Sequence, residues 1–146
     1  MKNVRDILRT KADQKLYSVT PSDMVLDAIK LMAEKGIGAL VVKENDKLAG
    51  IITERDYARK IVLMERSSRT TEVRAIMTAD VLCVEPSQSL EHCMELMTEK
   101  RIRHLPVVEK GELLGMISIG DLVKNIISNQ QDMIRQLEQY IRGETA

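Results

Sequence analysis

The chain is poor in aromatic residues, with three tyrosines, no phenylalanine and no tryptophan among 146 residues. Its core must therefore be built from Leu, Ile, Val, Ala and nine methionines. Single-stranded nucleic acid binds by stacking its bases on aromatic side chains, so this composition argues against that partner. Net charge is missing too, because 22 basic residues balance 22 acidic ones. Proteins that work on phosphate backbones or anionic lipid carry a basic excess. We expect neither nucleic acid nor membrane as the main partner. No apolar run approaches the roughly 18 residues of a membrane span. The start, Met1-Lys2-Asn3-Val4-Arg5-Asp6, is charged and lacks the apolar stretch of a signal peptide. These absences predict a soluble, cytoplasmic protein. Cysteine is limited to Cys83 and Cys93, without C-x-x-C spacing. Buried free thiols in a reducing compartment fit this better than a disulfide. With two cysteines, two histidines and no tight cluster, no structural zinc site is expected.

What is present is globular, with 44% hydrophobic and 30% charged residues. It is also repeated. A shift of 65 positions aligns Val19–Val62 with Val84–Ile127 without a gap. Identities include Pro21/Pro86, Ser22/Ser87, Met32/Met97, Leu40/Leu105, Gly50/Gly115, Ile52/Ile117 and Asp56/Asp121. Upstream, Val4–Leu8 matches Val73–Met77, with four extra residues in the first copy. Two copies of one supersecondary unit follow. In each, a short extended piece ends at Val19 or Val84. Thr20-Pro21-Ser22 and Glu85-Pro86-Ser87 then supply a turn and a candidate helix N-cap. Val25, Ala28, Ile29 and Met32 recur at helical spacing, as do Leu90, Cys93, Met94 and Met97. Cys93 thus falls on an apolar face. Gly36 sits where a helix C-terminus needs a left-handed residue. Ala39–Lys43 and His104–Glu109 read as strands, turned by Asn45-Asp46-Lys47 and Lys110-Gly111-Glu112 into return strands Leu48–Thr53 and Leu113–Ser118. Glu54–Leu63 and Ile119–Ser128 read as helices.

The expected fold is α/β, with two pseudo-symmetric β-α-β-β-α units packed sheet to sheet over one shared core. A unit of about 60 residues buries too little surface to stand alone. The divisions are residues 1–63, a linker at 64–72, residues 73–128, and a C-terminal amphipathic helix at 129–146. The stripe Ile126, Met133, Ile134, Leu137 and Ile141 on that tail needs the body of the protein or a second chain to cover it. Residues 1–72 carry 14 basic and 11 acidic groups, and residues 73–146 carry 8 and 11. Halves of opposite sign would favour an antiparallel homodimer.

Two further segments share chemistry: Gly50-Ile51-Ile52-Thr53-Glu54-Arg55-Asp56 and Gly115-Met116-Ile117-Ser118-Ile119-Gly120-Asp121. Each runs from a strand into a helix, with a hydroxyl at the junction and an acid three residues on. A helix N-terminus offers unpaired N–H groups that suit phosphate, and an ionised Asp can accept both hydroxyls of a ribose. The same spacing is a capping box, which every helix can use without a ligand. His92 and Cys93 point to different helix faces, so they form no nucleophile pair. No G-x-S-x-G and no P-loop occurs, and we expect no enzyme.

The G-h-h-[ST]-x-x-D signature in both halves, the turn Thr20-Pro21, and Ile102-Arg103-His104-Leu105-Pro106-Val107 together resemble a tandem pair of CBS domains, a Bateman module. The resemblance runs from Val4 to Ile127. It implies adenosine-type ligands, such as AMP, ADP, ATP, NAD(H) or S-adenosylmethionine, in two clefts between the units. One cleft would use Thr20, Val25, Ile37 and Gly38 with Arg103, His104, Met116, Ser118 and Asp121. Asp121 would take the ribose and Ser118 the phosphate. The other would use Leu90, Ile102 and Arg103 with Gly38, Ala39, Ile51, Thr53, Arg55 and Asp56. There the counterpart of Thr20 is Glu85, an acid that could repel phosphate. Lys124 and Arg59, one turn into the closing helices, are further candidates to reach a polyphosphate. The function implied is a regulatory sensor of the adenine-nucleotide pool that signals to an unknown client protein. The alternative is a ligand-independent interaction module, or a thioredoxin-type redox partner as in plant proteins of this kind.

Overall fold

The computed structural model describes residues 2–11 and 15–143. Helix α1 (Val4–Thr10) opens the chain. The first repeat follows as β1 (Ser18–Val19), α2 (Val25–Lys35), β2 (Ala39–Glu44), β3 (Lys47–Thr53) and α3 (Glu54–Tyr57), which widens into a π turn over Ala58–Val62. A 3-10 turn at Val73–Ala75 leads to α4 (Leu90–Lys100), β4 (His104–Glu109), β5 (Glu112–Ser118) and α5 (Ile119–Ile141). β1 lies parallel to β2, and β2 antiparallel to β3. β4 and β5 are antiparallel, and the counterpart of β1 is a single parallel bridge from Val84 to Val107. Each repeat is thus the expected strand-helix-strand-strand-helix unit.

Local chemistry accounts for the hairpins. Asn45 and Asp46, then Lys110 and Gly111, all have positive φ (54°, 62°, 53° and 79°), as a two-residue turn matched to strand twist requires. Gly36 closes α2 at φ 66°. Its counterpart Arg101 adopts φ 56° at the end of α4 without being glycine.

The expected caps are not where the chain makes them. The Thr20 and Glu85 turns fold on themselves, as Thr20 N–H donates to Asp23 Oδ2 and Glu85 N–H to Gln88 Oε1, both at 2.8 Å. The helices therefore start later than Ser22 and Ser87. In α4 the cap is Ser89, whose Oγ accepts from His92 N–H at 3.1 Å. Met24 precedes α2 and offers no side-chain cap. There the segment read as a linker does the work: Val25 N–H and Leu26 N–H donate to the carbonyls of Thr71 and Ser68, both at 2.9 Å. The helix expected over Glu54–Leu63 is α3 plus the π turn, which carries Ile61 into the core while Lys60 Nζ reaches the Ile76 carbonyl at 2.8 Å.

The buried residues form two clusters and not one shared core. Each contains a segment from the other half of the chain. Val4 and Ile7 of α1 pack with Val84, Leu90, Cys93, Leu105, Ile117 and Leu122 of the second repeat. Val73 and Ile76 pack with Val25, Ala28, Leu40, Ile52 and Ile61 of the first. Matching backbone bonds seat both segments. Val4 and Arg5 N–H donate to the carbonyls of Gln88 and Pro86, while Val73 and Arg74 N–H donate to those of Asp23 and Pro21. The units meet where β3 touches β5. Helix α5 runs unbroken past residue 128, so the tail is a continuation of the second repeat. Residues 144–146 of the expected tail helix lie outside the described residues.

Candidate functional site

A cleft of about 810 Å³ opens between the repeats. Its first wall is the N-terminus of α5. Ser118 and Asp121 form a complete capping box: Asp121 N–H donates to Ser118 Oγ at 3.2 Å, and Ser118 N–H to Asp121 Oδ2 at 2.8 Å. A lysine completes the corner. Lys11, just past α1, puts Nζ 2.8 Å from Asp121 Oδ2 and 2.9 Å from the Met116 carbonyl. Burial pushes the Asp121 carboxyl up, but the hydrogen bonds from Lys11 and Ser118 outweigh it and hold it below the usual carboxylate range. The second wall is the end of α2, with Lys35, Gly36, Ile37 and Gly38. His104 lies between them, and a methyl group on Gly38 would stand 3.9 Å from its Cε1. Burial lowers the His104 pKa; Asp121 pulls it up, and Lys11 and Arg103 push it down. Tyr17 sits in the same cleft with the ammonium groups of Lys35 and Lys15 at 5.3 and 5.9 Å from its ring centre. The cleft thus carries three lysines and the Asp121 carboxylate, and the Glu54 carboxylate stands behind Gly38, its Oε1 2.8 Å from where a methyl group there would be.

Of the residues expected in this cleft, Ile37, Gly38, His104, Met116, Ser118 and Asp121 line it together. Arg103 is not among the lining residues; its carbonyl accepts from Ile119 N–H at 2.9 Å. Thr20 is exposed in its turn, its hydroxyl 3.3 Å from that of Ser22. Val25 is a correction. It is fully buried in the first cluster, because it is the first apolar position of α2 and points inward. Lys11, Lys15, Tyr17 and Lys35 line the cleft without having been expected there. Three of them lie where the first copy carries four extra residues, a feature of the sequence that marks a local departure from the repeat.

The pseudo-symmetric position is built differently. Thr53 and Asp56 also form a capping box, with Asp56 Oδ2 accepting from Thr53 N–H and Oγ1–H, both at 3.0 Å. Here the cation is Lys60, one turn along, at 3.3 Å from Asp56 Oδ1. Arg55 reaches across the units and donates to the Arg101 carbonyl at 2.8 Å. Ala39 and Ile51 are buried, and Ile102 packs against the second cluster. Leu90 is the second correction, since it lies inside that cluster for the same reason as Val25. Among the described residues no lysine comparable to Lys11 is bonded to Asp56, so the two positions are built differently. Lys124, expected near a polyphosphate, lines a separate groove on the outer side of α5. Cys93 is buried, and burial pushes its thiol up to about 11. Cys83 and Cys93 are both free.

The model of the CBS domain matches residues 4–63 and 73–128. The chain belongs to the CBS-domain family. It is 41% identical to the CBS domain-containing protein CBSX3, mitochondrial, of Arabidopsis thaliana, over 96% of this chain and 72% of that protein. A CBS-domain protein from Burkholderia ambifaria superposes with a TM-score of 0.85 at 62% identity, covering 88% of this chain and 96% of that one. CBSX2, solved in complex with AMP, superposes with a TM-score of 0.72 at 31% identity over 89% and 99% of the two chains. The two units are therefore a tandem CBS pair, and the exchange of α1 and Val73–Met77 is how this pair closes its cores. No helix among the described residues is long and apolar enough to cross a membrane.

Proposed function

We propose that this CBS pair is a regulatory module without catalytic activity, which binds an adenosine-type nucleotide in the Asp121 cleft and signals its occupancy to a client protein. The observation that carries the reading is Lys11 set against the Ser118–Asp121 corner, in a cleft that Lys15 and Lys35 also line. A ribose accepted by Asp121 competes with Lys11 for the same oxygen, and the displaced ammonium is free to meet phosphate. The binding of AMP by a neighbour of similar fold, CBSX2, supports the ligand class. AMP, ATP and NAD(H) all carry the adenosine and phosphate that the corner would hold. Because the cleft is shared by both units, a ligand that binds one inter-unit arrangement better shifts the population toward it, and a client reads that shift. The Asp56 position, with Glu85 in place of Thr20, is the weaker of the two. We place the module in the cytoplasm, as a homodimer.

One observation favours a second reading. Both hydroxyl–acid pairs are already engaged as capping boxes, so a ligand-independent interaction module would need them unchanged. Thermal melting with a nucleotide panel separates the two. At about 100 times the dissociation constant, one site adds about 2.7 kcal/mol, which is roughly 5–10 °C for a chain of this size. AMP, ATP, NAD or S-adenosylmethionine should give such a shift, and guanine nucleotides a smaller one. If all four leave the melt unmoved, the interaction module is the function.

A further inference from the structure

The second half of α5 stands clear of the body, and every residue from Gln130 to Ile141 is exposed. Its apolar residues nevertheless keep strict order. Ile127, Ile134 and Ile141 lie seven residues apart, and Val123, Gln130 and Leu137 form a second row four residues before them. These are the two core rows of a coiled-coil heptad. The seam is bare from Val123, 42% exposed, to Ile141, 83% exposed. Where it meets the body it is flanked by Gly120 and becomes the floor of a groove of about 640 Å³.

The seam is self-complementary in one direction only. Lys124, Gln131 and Glu138 flank it, again seven residues apart. Turned antiparallel about Asp132, Ile127 faces the second copy's Leu137, Val123 faces its Ile141, and Gln130 faces its Ile134. Lys124 then faces the second copy's Glu138, and symmetry makes this pair twice. On the other flank Met133 meets its own copy. A parallel pair would set Lys124 and Glu138 beside Ile119 and Met133 and form no such ion pair. Flanking charges decide orientation in coiled coils.

We propose that α5 pairs antiparallel with α5 of a second copy over Val123–Ile141, each helix end seating in the groove beside the other's Gly120. The seam is about 28 Å long at 1.5 Å per residue. The proposal rests on the homodimer reading above and names its surface. Light scattering and sedimentation on the full chain test it. The wild type should be a dimer, and Leu137→Arg should raise its dissociation constant at least about a hundredfold. Lys124→Glu and Glu138→Lys should each raise it about five- to tenfold, by placing like charges opposite each other twice. The double variant should return to near wild type, which a merely local effect on α5 would not produce. Circular dichroism on each variant verifies the fold. A monomeric wild type overturns both the dimer and the seam. A dimer indifferent to Leu137→Arg overturns the seam alone and puts the contact elsewhere. Single charge variants that weaken the dimer without rescue in the double variant overturn the antiparallel register.

Discussion

Asp121 serves two roles in the fold, capping α5 and pairing with Lys11. Removing it therefore affects stability whatever the ligand. The cap alone contributes about 1 kcal/mol, and Asp121→Ala should lower the melting point of the free protein accordingly. A ribose acceptor makes charged hydrogen bonds of about 1.5–3 kcal/mol each, so the same variant should also weaken AMP binding at least about tenfold by calorimetry. Asp56→Ala should weaken it less, since the cation paired with Asp56 is Lys60, one turn along the same helical stretch. Unchanged affinity in both variants reduces both acids to caps, and a larger loss at Asp56 reverses the order of the clefts. His104 makes a pH-dependent contribution. Burial holds its pKa below the ordinary value of about 6.5, so the unfolded chain takes up a proton before the folded chain does. Stability is thus present above about pH 6.5 and is lost as pH falls through the folded value. Melting points at pH 7 and pH 5 should differ less in His104→Gln than in the wild type. Equal differences would show that this imidazole titrates alike in both states.

At the scale of elements, two glycines hold the exchanged segments against the return strands. A methyl group on Gly50 would stand 2.7 Å from the Thr78 carbonyl oxygen, and one on Gly115 would stand 3.0 Å from a terminal methyl of Leu8. The first obstacle is backbone, tied by hydrogen bonds in both directions between Ile51 and Thr78; the second is the end of a side chain that can rotate. Gly50→Ala should therefore cost about 2–3 kcal/mol and Gly115→Ala about 1 kcal/mol or less, read from chemical denaturation. A reversed order would mean that the Thr78 segment yields more easily than Leu8. The repeat, the strands and the hairpin turns were legible in the sequence because they depend on local spacing and on residues such as Asn45, Asp46 and Gly111. The Ser118–Asp121 corner was legible for the same reason. The exchange was not, because Val4–Leu8 adjoins the first repeat in sequence and packs on the second. Lys11 escaped with it, since its partner Asp121 lies 110 residues away. Val25 and Leu90 were misplaced because an apolar residue near a cleft and one in a core look alike in sequence.

For the whole molecule, the exchange makes the two CBS units depend on each other. Residues 1–72 contain the first repeat but lack Val73 and Ile76, both fully buried in its core, and 73–146 lacks Val4 and Ile7. Truncating one buried aliphatic side chain costs about 2–5 kcal/mol, and a whole domain has only about 5–15 kcal/mol to lose. Each half would also lose backbone partners, such as the Pro86 and Gln88 carbonyls that accept from α1. A chain divided between Glu72 and Val73 should therefore give two fragments that are each unfolded alone by circular dichroism. Mixed in equal amounts they should recover the helical signal, run as a one-to-one complex, and regain cooperative melting. Every contact of the intact chain except one peptide bond is restored in the complex, and the cost is the entropy of joining two molecules. Ile7→Ala in the first fragment should then weaken the complex, because Ile7 belongs to the core cluster of the other repeat. Fragments that fold separately and ignore each other would show that each repeat closes its own core, with the exchanged segments as mere surface additions.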